Sequence, residues 1–195
     1  MKTQYSLLAE TLKEDALNLF EKAPIWAPFR KKGKILLSGS TELDVLVYPD
    51  LDVYFQKEDS KVDLPHLFAE GLALGAQLPD VISMRFEKEL YKMRPHIPKG
   101  IYLQMKLKWN SRVWQIDIWH LENETELQNI LKETEKLKAK IAENSQIRDL
   151  ILEAKHAIKR KDGSTPSFAS FYVYRAILDE GLRDLDAIKS YVLEH

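Results

Sequence analysis

Three aspartates in this chain have the spacing expected of cation ligands. Asp50 and Asp52 sit in the run PDLDVYF with only Leu51 between them. On a strand, residues i and i+2 point to one face, so the two carboxylates would project together. Side by side they repel, and a divalent cation is the common remedy. A second run, RVWQIDIW, carries Asp117 between Ile116 and Ile118. An acid with apolar flanks on a strand has to be paired or ligated, since burying it alone costs several kcal/mol or leaves it protonated. A salt bridge to Lys106 is one account. Metal ligation shared with Asp50 and Asp52 is the other, and the upstream pair favours it.

Upstream lies Gly39-Ser40, then nine residues, then the two acids. A Gly-Ser ending a strand, a spacer, Asp-apolar-Asp-apolar and a later carboxylate between apolar residues together resemble the nucleotidyltransferases of the DNA polymerase β superfamily. The resemblance covers about residues 34–120. It implies an α+β fold, a small mixed β-sheet with flanking helices, followed by a C-terminal helical region. Asp50, Asp52 and Asp117 would then be catalytic and would hold Mg²⁺ or Mn²⁺. Gly39 and Ser40 would meet the phosphates of ATP or another NTP, with Lys106 beside them. The implied reaction moves a nucleoside monophosphate to a hydroxyl of a small-molecule or protein acceptor, with pyrophosphate leaving. The alternative is a nucleotidyltransferase fold without catalysis, acting as a nucleotide-binding or interaction module.

Composition narrows the partners. The 195 residues carry a formal net charge of −1, so no global field draws the chain to nucleic acid or membrane. On that ground the acceptor is expected to be a small molecule rather than nucleic acid. With no cysteine there is no disulfide framework and no thiolate site. The start, MKTQYSLLAETLKED, turns acidic before any long apolar run, which argues against a signal peptide and for a cytoplasmic protein. Leu193, Glu194 and His195 read as a tag remnant.

The elements that must position these residues follow from periodicity. Leu7, Leu8, Leu12, Ala16, Leu17 and Phe20 predict a helix over 6–22, with Ser6 as cap. Arg30, Lys31, Lys32 and Lys34 read as a solvated turn feeding a strand at 35–38. Residues 41–48, TELDVLVY, lean towards strand, which would make a hairpin turning at 48–50; Asp44 is a surface or capping acid. Residues 50–56 alternate, with the acids and Tyr54 on one face. A helix over 65–78 holds Gly71 and Gly75 for close packing, and 84–93 is less regular, ended by Pro95 and Pro98. Runs 101–109 and 112–120 form a hairpin through Asn110-Ser111, setting Gln104 opposite Asp117 and Lys106 diagonal to it.

Beyond residue 120 the pattern is helical: 123–142, 147–159, 168–178 and 182–192, with a loop at 160–166. Residues 1–121 are taken as the nucleotidyltransferase-like domain and 122–192 as a helical domain. Tyr172, Tyr174 and Arg175 could touch a nucleotide from the helical side, or simply pack. His66, His96, His120 and His156 show no metal-ligand spacing. His120 reads as a strand-end hydrogen-bonding residue.

Overall fold

The structure is a computed structural model and describes residues 3–88, 99–159 and 169–195. Helix α1 spans Gln4–Lys22. Its cap is Thr3, whose side chain accepts from the Ser6 N–H, and Ser6 itself is buried one turn in. The expected apolar stripe is rotated: Ala9, Leu12, Ala16 and Leu19 are buried, while Leu7 is 53% exposed. A 3₁₀ turn at Pro24–Trp26 and the short helix α2, Ala27–Arg30, lead into strand β1, Gly33–Leu37.

Residues 41–48 do not form the expected strand. Gly39–Glu42 is a helical turn, α3, and the chain then runs as coil to β2, Asp50–Lys57. Leu43, Val45 and Val47 are apolar because they are buried against the C-terminal helices, which have the same compositional signature as a strand. β2 alternates as expected, with Leu51, Val53 and Phe55 in the core.

Helix α4, Leu64–Gln77, is capped by Asp63 and packs closely through its glycines. A Cβ at Gly71 would meet the Phe29 ring, and one at Gly75 would meet Met84. Strand β3, Val81–Glu87, overlaps the stretch 84–93 that reads as less regular; it is an edge strand with Met84 and Phe86 packed against the core. Pro95, Pro98 and His96 lie outside the described residues, as does the loop expected at 160–166. β4, Gly100–Trp109, and β5, Arg112–Leu121, form the expected hairpin. Asn110 and Ser111 have φ of 46° and 64°, the mirror-image turn that matches strand twist.

The sheet has five strands in the order β1-β2-β5-β4-β3. All neighbours are antiparallel except β2 and β5, which run parallel and adjacent. One face of the sheet is covered by α1, α2 and α4 around Trp26, Phe29, Phe55, Phe68 and Trp114. After β5 come α5, Glu124–Ala142, and α6, Ser145–Ala157, followed by α7, Ala169–Leu178, and α8, Leu185–Glu194. These helices build a second core with Ala9, Leu43, Val45 and Val47. Among the described residues no helix is long and apolar enough to cross a membrane.

Candidate active site

The parallel pairing of β2 with β5 brings the acids together although the chain separates them. Asp52 is the direct cross-strand partner of Asp117, and Asp50 is that of Gln115. Parallel strands side by side lie about 4.8 Å apart, so the two carboxylates share one face at one level. The hairpin register is the expected one: Gln104 faces Asp117 and Lys106 faces Gln115, diagonal to the acid.

Each acid has a distinct environment. Asp50 Oδ1 is buried with no hydrogen-bond partner. Burial, and then the charges of Asp52 and Asp117, push the Asp50 carboxyl well above the usual range, with Lys155 opposing. Burial and the Asp117 charge raise Asp52 to about 7, again against Lys155. Asp117 is raised by burial but held back by hydrogen bonds. The Tyr102 hydroxyl donates to its Oδ1 at 2.8 Å and Gln104 Nε2 at 3.2 Å, while Gln115 Nε2 reaches Oδ2 at 3.2 Å. Asp117 is therefore hydrogen-bonded, and the salt bridge to Lys106 weighed as an account of it is not what holds it.

Gly39 closes the site from the side. Its φ is 59°, and a Cβ there would overlap the Asp52 carboxylate, so only glycine brings this backbone so near the acid. Ser40 follows at the start of α3. Its Oγ accepts from Lys155 Nζ at 2.6 Å and lies 3.4 Å from the Tyr174 hydroxyl. Lys155 is 2% exposed and also donates to the Val45 carbonyl, at 2.9 Å, and to the Tyr174 hydroxyl, at 3.3 Å. A buried ammonium needs such acceptors, and two nearby carboxylates make its position favourable.

Sequence reading missed Lys155, although a signal existed: it falls on the buried stripe of α6, four residues after Ile151 and three after Leu152. Tyr174 was singled out and does reach the Gly39-Ser40 turn. Tyr172 packs at the edge of the helical core. Asp44 is a surface acid, paired with Lys13 and Arg148 at 3.0 Å each. His120 is a strand-end residue, its Nδ1–H 3.0 Å from the Phe55 carbonyl it bonds and its side chain on the face away from Asp117.

The pair that fits a divalent cation is Asp50 and Asp52: an orphaned carboxylate oxygen, two raised acids and a neighbouring backbone without a side chain. Among the described residues no group of three His, Asp or Glu side chains is arranged to hold a metal ion, and Asp117 is engaged by three hydrogen-bond donors.

No family model and no curated protein matches the sequence. Solved structures do match. A poly(A) polymerase complex, GLD-2 with GLD-3, superposes with a TM-score of 0.56 at 12% identity, covering 91% of this chain and 60% of that one. Cid1 bound to its short product ApU gives 0.53 at 11%, covering 87% and 53%. A cytoplasmic RNA terminal U-transferase gives 0.51 at 14%, covering 90% and 52%. The chain thus spans between 52% and 60% of these neighbours' lengths. What it shares with them is the fold, a mixed sheet flanked by helices, as the resemblance implied. The same neighbours overturn the expected preference for a small-molecule acceptor over nucleic acid, since they are polymerases and a transferase of RNA. That preference rested on a net charge of −1, which sums the whole surface and is silent about any one patch.

Proposed function

We propose that this chain, a nucleotidyltransferase of the DNA polymerase β superfamily by fold, moves a nucleoside monophosphate from an NTP to the 3′-hydroxyl of RNA. The observation that carries the reading is the cross-strand alignment of Asp52 with Asp117, beside Asp50 and against the Gly39 backbone. Asp50 and Asp52 would hold Mg²⁺ or Mn²⁺, with Asp117 beside them. The bound ions would offset triphosphate charge and lower the pKa of the attacking hydroxyl. Gly39 lets phosphate come close to the backbone. Ser40 and Lys155 then receive the terminal phosphates, the lysine being already pinned by three acceptors and so pre-oriented. Tyr102, Gln104 and Gln115 oppose the upward push of burial on the Asp117 carboxyl and fix its direction. In this reading residues 1–121 carry the acids, and 122–192 form the helical domain that supplies Lys155 and Tyr174.

A second reading has one observation in its favour. With Asp117 already occupied by three donors, the fold would bind nucleotide without transfer. The experiment is extension of 5′-labelled oligo(A) and oligo(U) with each NTP and Mg²⁺ or Mn²⁺, resolved on a denaturing gel. Transfer is expected from at least one NTP and is expected to vanish in Asp52→Asn. No extension by a protein that still binds Mg·NTP would establish the second reading.

A further inference from the structure

The polar face of the sheet continues past the acids. The row that begins with Asp52 and Asp117 runs on to Gln104 in β4 and Arg85 in β3. The next row up holds Trp119 and Tyr102 as direct partners. Their rings pack against each other at a tilt, with centroids 4.2 Å apart and planes 31° from parallel. Tyr102 is buried, 6% exposed, while Trp119 stays partly exposed. Moreover, the Tyr102 hydroxyl donates to Asp117, which fixes the stack relative to the acid.

Two cations share this face, Arg85 one row from the rings and Lys106 two rows from them. Arg85 is held by Glu87, with a side chain 55% exposed, and Lys106 is exposed. At about 4.8 Å per strand, Lys106 lies about 10 Å across the sheet from Asp50, and Arg85 about 14 Å from Asp52. Those distances suit the backbone just behind a 3′ end placed at the acids. The stack itself suits a base, since every base has a π-face and stacks on aromatic rings without regard to sequence.

We infer that Trp119, backed by the buried Tyr102 ring, forms the platform on which a base of a single-stranded RNA acceptor stacks, with Arg85 and Lys106 meeting the phosphates behind its 3′ end. The inference rests on the reading that the acceptor is RNA. It adds a division of labour: Asp50, Asp52, Ser40 and Lys155 serve the NTP, and the open sheet face serves the acceptor.

The test is fluorescence anisotropy of labelled oligo(A) and oligo(U), beside the Mg·ATP-induced rise in melting temperature. Trp119→Ala should weaken oligonucleotide binding about 5- to 150-fold, the worth of one stacked base, and leave the Mg·ATP shift unchanged. Trp119→Phe should recover most of the affinity, and Arg85→Gln should lower the salt slope by about one. Wild-type affinity in Trp119→Ala overturns the platform, as does equal affinity of the wild type for duplex and single strand. Loss of the Mg·ATP shift in Trp119→Ala would mean the ring is structural and would also overturn it. If the wild type binds Mg·ATP but no RNA, the RNA reading itself falls.

Discussion

Replacing Asp52 by Asn should stabilise the metal-free protein while abolishing its activity. In the folded chain the Asp52 carboxyl is raised from 3.8 to about 7 by burial and by Asp117. A carboxyl whose folded pKa lies above its unfolded one contributes stability below the unfolded pKa and loses it as pH rises through the folded one. At pH 8 the full shift would cost about 4 kcal/mol. The side chain keeps some contact with water and Lys155 stands nearby, which brings the net cost to about 2 kcal/mol. Asn carries no charge to desolvate, and Asp50 is relieved of a repelling neighbour. For a chain of this size the gain is about 4–8 °C in melting temperature. At pH 5 it should shrink to about a third, because folded Asp52 is protonated there. Thermal melts of both proteins in EDTA at the two pH values measure this, with Mg²⁺ added as a further arm that should favour the wild type. A variant melting at or below wild type at pH 8 would refute the strained pair and weaken the case for a cation between Asp50 and Asp52.

Lys155→Met should destabilise the fold by about 3 kcal/mol, since it strands buried acceptors and removes the cation facing two acids; denaturant titration measures the loss. It should also weaken Mg·ATP binding, read as a smaller melting shift. Gly39→Ala should lose transfer and at least about 1 kcal/mol of stability, because alanine at φ 59° is strained and its Cβ overlaps Asp52; folding and extension assays together test both. Asp117→Asn should lower kcat at least about 10²-fold with nucleotide affinity retained, and unchanged turnover would make Asp117 structural.

How legible the site was depended on whether neighbouring residues dictated it. The β4–β5 hairpin could be read to the residue, because Asn110-Ser111 fixes the register and alternation fixes the faces. The Asp50/Asp52 strand could be read for the same reason. The spacer at 41–48 could not: Leu43, Val45 and Val47 are apolar for the sake of helices that arrive more than a hundred residues later. β3 was missed because the stretch read there, 84–93, starts inside the strand and runs past its end at Glu87. Lys155 shows the same limit, since its acceptors at Ser40 and Val45 lie 115 and 110 residues away. The acceptor class was misjudged for a different reason: a net charge of −1 sums the whole surface and is silent about any one patch.

Helix α1 lays Leu12, Ala16 and Leu19 into the core under the sheet and Ala9 into the core among the helices. Its 19 residues make a rod about 28 Å long, rooted in both. A rod fastened at two points is a spine and makes a poor joint. Swinging the helices away from the sheet would require α1 to bend or to surrender one of its two footings. The two cores are then expected to melt together, as one calorimetric transition.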